Sequence, residues 1–158
     1  MKTTLCVCAL SLFACGGGNA SAPPATASNA TSNEAAQAGG TEPQTFDAQV
    51  AVGQDLYGAK CASCHGASGQ GGPAPAVVGL DKGALPLDPQ PEAKYRKSQF
   101  KNAGDVADFV VKNMPPNAPG SLKEWQYWAI LAFDLHANGV DLPNKLDSTN
   151  AKDVTLHK

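Results

Sequence analysis

The residues best equipped for chemistry are Cys61 and Cys64, followed at once by His65, in the run Cys61-Ala62-Ser63-Cys64-His65. Two thiols at this spacing on one helical turn reach the two vinyl groups along one haem edge and form thioethers. The next residue, His65, then points its imidazole at the iron as the proximal ligand. The run predicts one haem c, held covalently through Cys61 and Cys64. Two other chemistries use a C-x-x-C pair. Half of a zinc site is one, but zinc takes four ligands and no second Cys pair follows. A thioredoxin-like redox pair is the other, but that pair follows a strand in a βαβ pattern, which is absent here.

A helix must deliver this run. Residues 47–60 carry Val50, Leu56 and Tyr57 at near-helical spacing and lead straight into Cys61. Gly53 sits inside that helix, where a glycine costs about 1 kcal/mol relative to alanine. Close approach of a second helix is a reason to accept the cost; simple tolerance is the alternative. Residues 66–92 hold eleven Gly and Pro residues and read as loop. Residues 105–112 predict a short amphipathic helix with Val106, Phe109 and Val110 on one side, stopped by Met114-Pro115-Pro116. Pro119-Gly120-Ser121 makes a turn, and Ser121 with Glu124 reads as a capping box. The helix from Leu122 to Asn138 follows, with Gly139 just past its end. Trp125, Trp128, Ala129, Ala132, Phe133 and His136 form a broad stripe along it. Residues 143–158 read as a polar C-terminal tail with one or two apolar anchors.

Composition narrows the function. Charged residues make up 16% of the 158-residue chain and the formal net charge is −2, so nucleic-acid binding is not a global property. Aromatics are 6%, few for a self-sufficient core, and a covalently held haem would supply a large apolar body to pack around. Of the five cysteines, Cys6 and Cys8 lie in an apolar N-terminal run and Cys61 and Cys64 go to haem, leaving only Cys15. No pair remains for a structural disulfide.

Residues 1–14 read as an export signal, with Lys2 as a minimal positive region and an apolar run from Leu5 to Ala14 broken only by Ser11. That run is too short to span a bilayer. Its end, Leu12-Phe13-Ala14-Cys15-Gly16, resembles the lipobox of bacterial lipoproteins, with Phe13 a departure from the usual pattern. The resemblance implies that Cys15 becomes the first mature residue and carries lipid, and two or more acyl chains suffice for stable anchoring. Ordinary cleavage after Ala14 or further on is the alternative. Residues 15–45 then form the lipidated Cys and a linker rich in Gly, Ala, Ser, Asn, Thr and Pro, without the apolar residues that would order it. Such a tether has a root-mean-square reach of roughly 30 Å.

Over residues 46–142 the chain resembles the class I, single-haem cytochrome c family. The C-x-x-C-H run, the downstream Met114-Pro115 and the last amphipathic helix carry the resemblance. Met114 to Leu122, with Ala132-Phe133-x-Leu135-x-x-Asn138-Gly139, is similar to bacterial cytochromes that serve periplasmic dehydrogenases. The resemblance implies an all-α fold whose N- and C-terminal helices cross near a right angle, with Gly53 and Tyr57 against Ile130 and Phe133. It implies that Met114 is the distal ligand of the iron; apart from Met1 it is the only methionine. His136 and His157 are the rivals for that position. It also implies that a proline carbonyl, Pro75 first and Pro73 in reserve, accepts the hydrogen bond from the His65 ring.

These features predict an electron-transfer protein rather than an enzyme. The expected partners are redox proteins (a dehydrogenase, a terminal oxidase or another cytochrome), with the membrane met through the lipid anchor on the periplasmic side. Lys94, Arg96, Lys97 and Lys101 form a basic cluster that reads either as a solvated face or as a docking patch for an acidic partner. Two other functions compete. A haem sensor or peroxidase-like enzyme requires Met114 to be off the iron. A fixed subunit would use the haem to wire a larger dehydrogenase complex.

Overall fold

The computed structural model describes residues 40–79, 87–89, 91 and 96–156. The predicted export signal, Cys15, most of the linker, Lys94 and His157 lie outside the described residues. Among those described, the order is α1 (Phe46–Lys60), α2 (Ala62–His65), α3 (Ala103–Asn113) and α4 (Glu124–Ala137). No strand forms among them; a single isolated bridge joins Asn102 to Thr155.

Local sequence sets each boundary. The Thr45 hydroxyl accepts from the Ala48 N–H at 3.2 Å and starts α1. Before α3, Asn102 accepts from the Asp105 N–H at 3.0 Å, while Asp105 accepts from the Asn102 N–H at 3.3 Å. This capping box starts α3 two residues earlier than the apolar pattern indicates. The expected Ser121–Glu124 box does not form. Instead α4 starts at Glu124, and the Gln126 side chain reaches back to the Lys123 N–H at 2.9 Å. At the other end Gly139 adopts φ 77°, and the Val140 N–H returns to the Leu135 carbonyl at 2.9 Å, closing the helix as expected.

The most extensive helix contact is between α1 and α4. Gly53 makes it possible: a Cβ there would stand 1.9 Å from the Ala129 carbonyl oxygen. One turn on, the Tyr57 and Phe133 rings meet at 5.1 Å, and Ile130 joins Leu56, Tyr57 and Ala129 in one buried cluster. The α4 stripe is wider than the sequence pattern suggests. Gln126, Tyr127, Ile130, Leu131 and Leu135 are buried along with Ala129 and Ala132, whereas His136 is exposed. A second cluster gathers Phe46, Phe100, Ala103, Val106, Leu131 and Leu135 with α3.

The segment after Pro143 is a docked strap rather than a polar tail. Leu146, Ala151 and Leu156 are all buried. Gln49, itself buried on α1, donates to the Leu146 carbonyl and accepts from the Leu146 N–H, both at 2.8 Å. Ala103, Gly104 and Leu156 add backbone hydrogen bonds between the strap and the start of α3. Most of these bonds use main-chain groups, which leave no mark in the apolar pattern. No helix among the described residues is long and apolar enough to cross a membrane.

Candidate functional site

Cys61 closes α1 by donating its N–H to the Tyr57 carbonyl at 2.8 Å, and α2 adds a single turn. Both thiols are free; Cys61 is half-buried and Cys64 exposed. Burial first, then the negative fields of Asp134 and Cys64, push the Cys61 thiol up to about 12. Redox-active and metal-binding cysteines are tuned the opposite way, toward thiolate. Among the described residues no group of three or more His, Cys, Asp or Glu is placed to hold a metal ion between them.

His65 ends the turn with its Nδ1 2.7 Å from the Pro75 carbonyl oxygen. A carbonyl only accepts, so Nδ1 carries the proton and donates. The Nε2 lone pair is therefore left for a metal, and the ring is oriented by the proline. The loop is built to make this contact. Gly66 turns the chain with φ 84°, and the Tyr57 hydroxyl donates to its carbonyl at 3.1 Å. Gly71 then donates to the His65 carbonyl at 2.7 Å and Ala74 to the Cys64 carbonyl at 3.0 Å. Asn138, at the end of α4, clamps the far side. It accepts from the Gly79 N–H at 2.8 Å and donates to the Val77 carbonyl at 2.9 Å.

Met114 is the C-cap of α3, half-buried, and joined to Pro115 by a cis peptide bond. Its N–H returns to the Val110 carbonyl at 2.8 Å, and its carbonyl accepts from the buried Tyr127 hydroxyl at 3.0 Å. The rival His136 is exposed, and its Nδ1 lies 2.6 Å from Asp141 Oδ1 on the surface. The structure thus brings His65 and Pro75 into contact and fixes the backbone of Met114 from α4.

The basic cluster is broken by Arg96. Its buried guanidinium donates to the carbonyls of Leu87, Asp88 and Ser98 and lies 4.0 Å from the centre of the Phe100 ring. It staples the loop before α3 and is not a docking cation. Lys97 and Lys101 are exposed.

The cytochrome c family model matches residues 50–136, a little over half of the chain. The chain belongs to the cytochrome c family. It is all-α, as that fold requires, and it carries a covalently attached haem c. The chain is also similar to a chain in the crystal structure of the sulfane dehydrogenase SoxCD from Paracoccus pantotrophus. That match has 28% identity and a TM-score of 0.47, and covers 68% of this chain and 52% of that one. The present chain thus spans about half the length of the solved chain it matches. No curated protein matches.

The residues present fit the haem: two free thiols one turn apart, and an imidazole with one nitrogen committed and the other available. Sequence reasoning missed Tyr127, Asp134 and the side-chain role of Asn138. Tyr127 lies between Trp125 and Trp128 and looks like one more core aromatic. Asp134 had a signal, being the only acid between Gln126 and Ala137 on a helix otherwise buried on most sides.

Proposed function

We propose that this cytochrome is a one-electron carrier of class I type, with His65 and Met114 as the axial ligands. We further propose that a lipidated Cys15 and the 16–45 linker tether it to the periplasmic side of a membrane. The observation that carries the first reading is the commitment of the His65 ring. Its Nδ1–H donates to the Pro75 carbonyl at 2.7 Å, which orients the ring and leaves Nε2 available to bind iron. Haem, when bound, supplies a reversible Fe(III)/Fe(II) couple. Cys61 and Cys64 would hold it, at the turn where α1 runs into α2. Tyr127 steadies the Met114 backbone, and the Met114 thioether would be the second iron ligand and would favour Fe(II). With both positions filled by the chain's own side chains, the iron would exchange electrons and would offer no place to a substrate.

Carbon monoxide added to the dithionite-reduced protein tests this reading. The wild type should give no adduct spectrum over minutes, and Met114→Ala should bind at once. A wild type that binds readily would overturn the carrier reading in favour of a ligand-binding haem. An unchanged Met114→Ala spectrum alongside an altered His136→Ala spectrum would move the distal ligand to His136. The tether reading is supported by the run Leu12-Phe13-Ala14-Cys15-Gly16 and by the composition of the residues after it.

A further inference from the structure

One face of α4 runs past the whole site. Tyr127, Ile130, Leu131 and Asp134 recur at helical spacing along it and line a small cavity of about 20 Å³ with Ala107 and Val110 of α3. At one end of this face the Tyr127 hydroxyl holds the Met114 carbonyl at 3.0 Å. At the other, Asp134 is close enough to act electrostatically on the Cys61 thiol and on Tyr57. The Oδ1 of Asp134 is buried and has no hydrogen-bond partner. A lone carboxyl oxygen in such surroundings costs a protein stability, and far more when ionised. It is therefore a place where function is to be sought.

We propose that Asp134 is the redox-linked proton site of this cytochrome, a carboxyl beside the Cys61 edge of the haem that takes up a proton on reduction and releases it on oxidation. The inference rests on the attached, fully ligated haem argued above. The balance is simple. One electron arrives from a redox partner and converts Fe(III) to Fe(II), and one proton arrives from solvent and converts the Asp134 carboxylate to the acid. Reoxidation returns both. The physical cause is charge. Ferric haem carries one more positive charge than ferrous haem and favours a nearby carboxylate; its loss on reduction makes the same carboxylate harder to sustain. Burial already pushes Asp134 up to about 8, which brings its titration into the working range of pH.

Few other groups compete among the described residues. Tyr57 of α1 faces Asp134, but burial, then Asp134 and Cys61, raise its phenol further above neutrality. Cys61 is a thioether once haem is attached. Tyr127 shares the cavity, its hydroxyl engaged by Met114, and α3 contributes only Ala107 and Val110 there. By linkage the midpoint potential should fall as pH rises between the carboxyl's oxidised- and reduced-state pKa values. One proton per electron is a tenfold change per pH unit, or 59 mV at the steepest.

Spectroelectrochemical titration of the wild type and Asp134→Asn from pH 5 to pH 9 tests this. The wild type should show the fall. Asp134→Asn, neutral at every pH, should lose most of it and should have the higher potential at high pH, where its parent is ionised. Equal slopes and equal potentials in the two proteins would overturn the proposal while leaving the haem reading intact; a wild type without covalent haem would fail the haem reading itself. Should Asp134→Asn not fold, redox difference infrared spectra of the wild type across the same range decide the matter. A carboxylic C=O band that grows on reduction, shifts in D2O and moves when aspartate, but not haem, is labelled with 13C supports Asp134, and its absence at every pH overturns it.

Discussion

His65 and Met114 are held in different ways, and the difference predicts how each fails. The His65 ring is oriented by a backbone carbonyl, which no side-chain substitution removes. The Met114 backbone is oriented by a side chain, the Tyr127 hydroxyl. Tyr127→Phe keeps the buried ring and deletes one hydrogen bond, worth about 0.5–1.5 kcal/mol. If that bond favours the ligated loop, exogenous imidazole should displace Met114 roughly 2- to 10-fold more easily in the variant, since 1.4 kcal/mol is a factor of ten. Optical titration with imidazole reads this directly; equal affinity in the two proteins would show that Tyr127 packs without positioning. The C-x-x-C-H run was legible because its chemistry demands fixed residue types at fixed spacing. Tyr127 was not, because a hydroxyl reaching a carbonyl 13 residues back depends on how α3 and α4 meet.

At the scale of elements, two contacts hold the frame around the haem. The α1–α4 crossing tolerates only glycine at position 53, because the Ala129 carbonyl occupies the place of a Cβ. Gly53→Val should force the helices apart and cost about 1–3 kcal/mol or more, read as a lower guanidinium midpoint. The second contact is the strap. Leu146 is fully buried between the two bonds to Gln49. Leu146→Ala should cost about 2–5 kcal/mol with the visible spectrum unchanged, because the strap's bonds reach α1 and α3 and not the haem-bearing turn. A Leu146→Ala protein of unaltered stability would show that the strap merely covers a frame already complete. The crossing is expected because the resemblance to class I cytochromes c implies Gly53 and Tyr57 against Ile130 and Phe133; Gly53 by itself leaves close approach and simple tolerance both open. The strap could not, because its anchors are backbone bonds and one Gln side chain whose partner lies 97 residues away.

For the whole molecule, the proposed lipid attachment at Cys15 would put a linker between the membrane and the cytochrome c domain. If Cys15 is acylated, mass spectrometry of the membrane fraction should find acyl mass on a peptide beginning at Cys15. A protein recovered only in the soluble fraction, with an unmodified N-terminus, would remove the tether and leave a diffusing carrier. The basic cluster is smaller at the surface than the sequence suggests, since Arg96 is spent inside the protein on three carbonyls.

The central claim, a haem c ligated on both sides by His65 and Met114 and cycling one electron, is tested most directly by an optical redox titration of the purified protein. The account predicts a single one-electron wave, low-spin spectra in both states, and in the oxidised protein the weak long-wavelength band of a sulfur–Fe(III) bond, lost in Met114→Ala together with a fall in potential. A high-spin spectrum in either state, or an oxidised protein without that band, would contradict it.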